Sequence, residues 1–212
     1  MFPIIQAAGW PIWPLIFCSV IGLALIVERF ISLKASKVLP PQLLDEAIMV
    51  SRNGVPSPDV VTQLEQNSLF GEVLASGFKT LNNDPRASDD DLRASLEGAG
   101  RLAASKLQRY LGALATIASA APLLGLLGTV IGMIEIFGSQ GDGGMGTVPG
   151  GGNPAELAHG ISVALYNTAF GLMIAIPSLI FWRYFRARVD GYLLAMEVAS
   201  DRFVRHLNGL RR

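Results

Sequence analysis

Few side chains in this 212-residue sequence are both reactive and set among apolar neighbours. Thr129 lies in the run Gly125-Leu126-Leu127-Gly128-Thr129-Val130-Ile131-Gly132, Thr168 follows Asn167 in a second apolar run, and Glu135 stands six residues after Thr129. Hydroxyls and a carboxyl at such positions suit a polar or water-containing path along which an ion could pass. Each threonine alone also has a plainer reading, its hydroxyl bonded to the carbonyl one turn back in its own helix. Covalent catalysis has no foundation here. The sequence carries no Ser/His/Asp set, no metal-ligand cluster and no paired carboxylate among its apolar runs, so an enzyme and a metal cofactor are not expected. The single cysteine, Cys18, is read as an apolar contact, and His159 and His206 stand too far apart to form a site.

The elements that must position these residues are membrane helices. Three stretches, Met1 to Val27, Tyr110 to Ile134 and Leu157 to Trp182, contain no Lys, Arg, Asp or Glu over 27, 25 and 26 residues. About 20 helical residues cross a bilayer core, so each stretch can span. Only 16% of residues are charged, 50% are apolar, and mean hydropathy is +0.42. Three fully buried helices of a soluble protein would need a larger shell than the remaining residues supply. The fold class expected is therefore all-α, with three transmembrane helices.

Seventeen basic residues balance seventeen acidic ones, which gives no basic footprint for nucleic acid. Their distribution is more telling than their total. Ten Lys and Arg fall between Arg29 and Arg109, seven fall from Arg183 onward, and none lies before Arg29 or between 138 and 156. Basic residues stay on the cytoplasmic side of short loops, so the N-terminus is expected outside, with 31–109 and 183–212 inside. No basic stretch precedes the first span, which predicts an uncleaved, N-out helix rather than a signal peptide.

The divisions expected are 1–30 for the outer N-terminus and first span, 31–109 for an inside helical region, 110–137 for the second span, 138–156 for a Gly-rich outer connector, 157–182 for the third span and 183–212 for an inside helical tail. Trp10 and Trp13 would anchor the outer end of span one, which runs from about Pro11 to Phe30. The inside region reads as short amphipathic helices. Leu43, Leu44, Ala47 and Ile48 share one face before a stop at Asn53-Gly54, Ser57-Pro58 starts the next helix, and Phe70, Val73, Leu74, Phe78 and Leu81 repeat at helical spacing. Gly71 and Gly77 weaken that third helix on propensity alone. Ser88 followed by three aspartates caps another, and no proline interrupts the chain until Pro122, so one helix from about Asp89 to Phe137 is expected. The tail continues span three with Val189, Tyr192, Leu193, Met196, Ala199, Phe203 and Leu207 on one stripe, which needs a partner to bury it.

Within the spans, small residues fall on single faces. Gly160, Ala164, Thr168, Gly171, Ala175 and Ser178 lie within about 80° of one another, and Ala121, Gly125, Gly128 and Gly132 form the same device in span two. Small residues let helices approach closely and gain nothing against lipid, so these stripes should face protein, either the neighbouring span of the same subunit or a pore assembly. Pro122 and Pro177 sit in the same two spans, and together with the threonines they suit helices lining a polar or water-containing path.

Ala121-Pro122-Leu123-Leu124-Gly125-Leu126-Leu127-Gly128-Thr129-Val130-Ile131-Gly132-Met133, together with Gly160-Ile161-Ser162 running through Leu165, Thr168, Gly171-Leu172 and Ala175-Ile176-Pro177, resembles the MotA/TolQ/ExbB family, in its three-span ExbB/TolQ branch. Glu28-Arg29 at the exit of span one is also similar to the family. The resemblance implies a five-subunit ring in the bacterial inner membrane, its pore lined by spans two and three and holding the helices of a one-span ExbD- or TolR-like protein. Protons are the implied coupling ion, with Thr129 and Thr168 matching the two pore threonines and no further cofactor. Inward proton flow would move the partner, and a TonB- or TolA-like protein would carry the work onward.

One position departs from the pattern. Well-known members carry a glutamate five residues before the span-three threonine, where this chain has Val163. Glu135 lies at similar depth in span two and is a candidate replacement. It is also about 120° around the helix from Thr129, which suits an interfacial carboxylate reaching headgroup water. Two alternatives stand beside the motor: a flagellar MotA-like stator relative, which would need a further span, and a passive three-span scaffold or channel.

Overall fold

The computed structural model describes residues 10–141 and 154–210, side chains excepted at 53, 135–141, 154–160, 163, 164 and 210. Among the described residues every regular element is helical: α1 (Ile12–Ser32), α2 (Ala35–Val38), α3 (Leu43–Val50), a 3₁₀ turn (Ser51–Asn53), α4 (Pro58–Asn67), α5 (Leu69–Asn83), α6 (Asp89–Gln108), α7 (Leu111–Gly141) and α8 (Pro154–Leu210). Three of the described stretches are long and apolar enough to cross a membrane, within 12–32, 89–134 and 165–209. Most of the expected Gly-rich connector, 142–153, lies outside the described residues.

The chain divides into two compact units: Met1–Val27 with Tyr110–Arg183, and Glu28–Arg109 with Tyr184–Arg212. The division follows charge. Glu28, Arg109 and Arg183 are the charged residues at which the apolar stretches end or begin.

In the first unit, Leu15 of α1, Ala121 of α7 and Ala175 of α8 form a small buried core, with Leu124, Phe170 and Ile174 packed around it. Small side chains set the spacing of these helices. A Cβ on Gly22 of α1 would already lie 3.5 Å from Ser178 Oγ and 3.7 Å from Ile117. The outward surface is apolar: Phe17, Leu123, Ile134 and Met173 are each about two-thirds exposed. A helix group that is apolar on its outside is built for lipid or for other membrane helices.

In the second unit the core belongs to α5, whose Phe70, Val73, Leu74, Ala75, Phe78 and Leu81 are buried. The tail of α8 provides the lid for it, with Phe203 edge-on to Phe78 at 4.9 Å between ring centroids. This identifies the partner of the tail stripe within the chain. Ser51 Oγ lies 3.0 Å from His206 Nε2, Asn208 Nδ2 donates to Asp89 at 2.8 Å, and the Tyr192 hydroxyl donates to the Leu33 carbonyl at 3.0 Å. The two glycines of α5 serve close approach. A Cβ on Gly77 would lie 3.1 Å from Phe203 Cε1, and one on Gly71 would collide with the Leu64 carbonyl at the end of α4.

The caps of this unit follow from the sequence. Pro58 is the first residue of α4 after an extended Ser57, and Gly54 takes φ 126°, a conformation open to glycine, after the 3₁₀ turn. At the start of α6, Ser88 Oγ accepts the Asp91 amide at 3.1 Å while Asp91 Oδ2 accepts the Ser88 amide at 2.9 Å. The Ser88 hydroxyl also donates to Asp91 Oδ2 at 2.7 Å, and this bond, followed by that from the Ser88 amide, holds the Asp91 carboxyl below its ordinary pKa.

The expected single helix from Asp89 to Phe137 is two helices. The chain leaves helical geometry at Arg109 (φ −51°, ψ 138°), and Tyr110 adopts φ 65°. Nothing local demands this, since Gln108-Arg109-Tyr110-Leu111 contains neither glycine nor proline.

Candidate functional site in the membrane helices

The crossing of α7 and α8 brings together most of the small and polar residues singled out from the sequence. Ideal side chains show how close the backbones come. A Cβ on Gly125 would lie 2.7 Å from the Asn167 carbonyl and 3.0 Å from Thr168 Cα. One on Gly171 would lie 2.6 Å from the Ala121 carbonyl, and one on Gly128 would lie 2.8 to 2.9 Å from the Asn167 side chain. All three separations are below van der Waals contact, so glycine is obligatory at each in this packing. Ala121, Ala175 and Ser178 are buried on the same side, and Gly132 is half-buried one turn beyond Gly128. At Gly125, Gly128 and Gly171 the small stripes face protein, and that protein is the neighbouring helix of the same chain.

The two threonines meet this crossing from opposite helices. Thr168 Oγ1 donates to the Gly125 carbonyl across the helix pair at 3.4 Å, while Thr129 Oγ1 donates to the Leu126 carbonyl of its own helix at 2.6 Å. In α-helical register the Gly125 carbonyl is also the acceptor for the Thr129 amide. One carbonyl thus links the two positions. The 3.4 Å bond is long for a hydroxyl donor and leaves Thr168 easily drawn to a better acceptor, whereas the Thr129 hydroxyl is firmly engaged and keeps its lone pairs for an incoming donor.

Asn167 is the polar residue that sequence reasoning passed over. It is 2% exposed, and the Gly128 backbone makes room for it. Its neighbour Thr168 and the glycine spacing of α7 were the available signals, but the pairing joins residues 39 positions apart. Pro122 is half-buried and Pro177 exposed, each inside its helix. Glu135 stands on α7, and Gly160, Val163 and Ala164 on α8, with side chains outside the described residues. Cys18 is half-buried in α1. Among the described residues no group of three His, Cys, Asp or Glu could hold a metal ion.

What this arrangement can do is limited and specific. Two uncharged hydroxyls and a buried amide in otherwise apolar helices cannot hold a charge by themselves, but they can bond to water or to a titrating group brought alongside.

Residues 65–198 match the MotA/TolQ/ExbB proton channel family. The chain belongs to this family. The matched region takes in the crossing of α7 and α8 and about half of the second unit. Biopolymer transport protein exbB1 of Vibrio cholerae is 31% identical over 178 residues, covering 82% of this chain and 74% of its own. A protein of Synechocystis named ExbB-like 3 is 29% identical over 188 residues, covering 86% and 83%. The Tol-Pal system protein TolQ of Pseudomonas aeruginosa is 33% identical over 159 residues, covering 72% and 64%. The MotA/TolQ/ExbB family is one of proton channels and transport components, and this member is a membrane protein built on three apolar helices.

Proposed function

We propose that this chain is the ring subunit of a motor in the bacterial inner membrane, driven by inward proton flow, of the ExbB/TolQ kind. The observation that carries the proposal is the pair Thr129 and Thr168, set on two apolar helices and linked through the Gly125 carbonyl, in a chain of a proton channel family. Several copies, five by analogy with the family, surround the helices of a one-span ExbD- or TolR-like partner. The threonines face a carboxyl on that partner. A carboxyl in a membrane titrates more readily when a hydroxyl or water can bond to it, so the ring assists protonation without carrying the charge. The coupling ion is the proton, and movement of the partner passes to a TonB- or TolA-like protein. The concentration of basic residues at 29–109 and 183–212 supports the N-out, C-in orientation.

Thr129→Val and Thr168→Val test this reading, because valine keeps the shape and removes the hydroxyl. Both variants are expected to assemble with the partner and to lose proton-dependent work. A passive scaffold would tolerate both, and full activity in the double variant would refute the proposed role.

A further inference from the structure

Just past the end of α1, within the second unit, basic side chains gather without a carboxylate to answer them. Lys34 and Lys37 stand within one turn of each other at α2, both are exposed, and neither makes an ion pair among the described residues. Arg188 of α8 joins them. Its Nε donates to the Tyr192 hydroxyl at 3.1 Å, and that hydroxyl donates at 3.0 Å to the Leu33 carbonyl, the peptide that leads into Lys34. Nη1 donates to the Tyr184 hydroxyl at 2.8 Å. Two acids close by in sequence are already engaged, Glu28 with Arg29 and Asp190 with Arg186.

The partners of Arg188 are neutral, and that decides what the group can still do. Two phenol hydroxyls and the Tyr192 ring, 5.7 Å from the guanidinium carbon, fix the plane of the side chain but leave its charge uncompensated. Nη2 has no partner among the described residues and remains free to donate. A half-buried guanidinium held in this way is oriented for an anion from outside the chain.

Position along the chain says which anion is at hand. Lys34 is the first charged residue after Arg29, at the end of a helix that is charge-free up to Val27, and Tyr184 stands two residues past Trp182, where the third charge-free stretch ends. Phe30 and Tyr184, each nearly half-exposed, bring their rings to 6.1 Å. Exposed aromatic rings beside basic side chains at the ends of apolar helices are the composition of a membrane interface.

We propose that Lys34, Lys37 and Arg188 bind the phosphate headgroup of an anionic phospholipid. Arg188 gives its free Nη2 edge to phosphate oxygens, and the two lysines add charge. The occupant follows from charge complementarity: an anionic headgroup supplies the missing negative charge, whereas a zwitterionic one brings a cation of its own. The site uses none of the residues of the α7–α8 crossing, so it stands or falls independently of the proposed motor.

Native mass spectrometry of the full chain in detergent, titrated with phosphatidylglycerol or with phosphatidylcholine, tests the site by counting the lipid each chain retains. Each basic side chain near an anionic headgroup is worth about fivefold in affinity, so the parent should prefer phosphatidylglycerol by more than about tenfold. Lys34→Gln, Lys37→Gln and Arg188→Gln should each weaken it about fivefold and leave phosphatidylcholine unchanged. Arg205→Gln, the same change in net charge about 25 Å further along α8, should match the parent. Tyr184→Phe combined with Tyr192→Phe keeps every charge and frees the guanidinium, and should weaken phosphatidylglycerol severalfold. Equal retention of the two lipids, full retention by the triple Gln variant, an equal loss in Arg205→Gln, or no loss in the double Phe variant would overturn the site. Displacement of the lipid by inorganic phosphate would also overturn it, in favour of a free-phosphate site. Should the triple variant not fold, Lys34→Gln and Lys37→Gln, both at exposed positions, decide the matter.

Discussion

The Thr168 hydroxyl of α8 lies 3.4 Å from the Gly125 carbonyl of α7, one helical turn before Thr129. Gly125 admits it because a side chain there would meet Thr168 Cα at 3.0 Å and the Asn167 carbonyl at 2.7 Å. Close packing and polar chemistry are therefore not alternatives at this crossing. The glycine that lets the helices touch is also the one whose carbonyl the threonine uses.

Removing and restoring that hydroxyl should separate shape from hydrogen bonding. Thr168→Val is expected to abolish proton-dependent work, while Thr168→Ser, which keeps the donor, should retain most of it. Energised transport and partner co-purification, measured side by side on both variants, check this. Equal activity in the two would assign Thr168 to packing alone.

Enlarging the crossing should act on assembly rather than on proton affinity. Gly128→Val places atoms into the Asn167 side chain, and Gly171→Ala into the Ala121 carbonyl, where backbone cannot yield cheaply. Overpacking of this sort costs about 1–3 kcal/mol. Thermal unfolding of the purified protein should show a clear drop for each, and the drop should be larger than for Gly98→Ala, where nothing lies within 4 Å of the added carbon.

Glu135 offers a single clean result. If it supplies the carboxyl missing at Val163, Glu135→Gln should remove energised transport with assembly intact. Unchanged transport would dispose of the idea and leave the titrating group to the partner.

The contact between Phe203 and Phe78 should govern the second unit. Phe203 is fully buried and edge-on to Phe78, and loss of such a ring costs about 3–5 kcal/mol. Phe203→Ala is expected to release the tail of α8 to protease at far lower enzyme concentration than in the parent, before α7 is cut.

The α6 cap should respond to pH in one direction. The Asp91 carboxyl has its pKa lowered in the folded chain by Ser88, so its contribution is fully present above its ordinary value of 3.8 and fades as pH falls through the folded value. Ser88→Ala should cost about 1 kcal/mol at neutral pH and remove that acid dependence. Helix content of α6 followed by amide exchange between pH 5 and 2 would show it.

Much of this protein is readable along the chain. Charge-free runs of spanning length, basic residues collected between and after them, Ser-Pro and Ser-Asp helix starts and the apolar repeat of Phe70 to Leu81 each depend on residues close in sequence. Spacing alone therefore carries them. The same local logic went astray at Gly71, Gly77 and Tyr110. Propensity counted both glycines against α5, whereas Leu64 and Phe203 make them necessary, and nothing near Tyr110 announced a break.

The amino-acid sequence by itself determined which residues can live in lipid and where the chain must leave it, because transfer from water depends on side chains one by one. The division of the structure at Glu28, Arg109 and Arg183 falls on the borders that charge had already drawn. Only the tertiary structure decided that Asn167 fills the space at Gly128, that Thr168 reaches Gly125, and that Arg29 occupies the Leu107 carbonyl beside a broken helix. Those pairs are 39 to 78 residues apart. Their partners are chosen by how closely whole helices pack, and that distance is not a property of any one stretch of sequence.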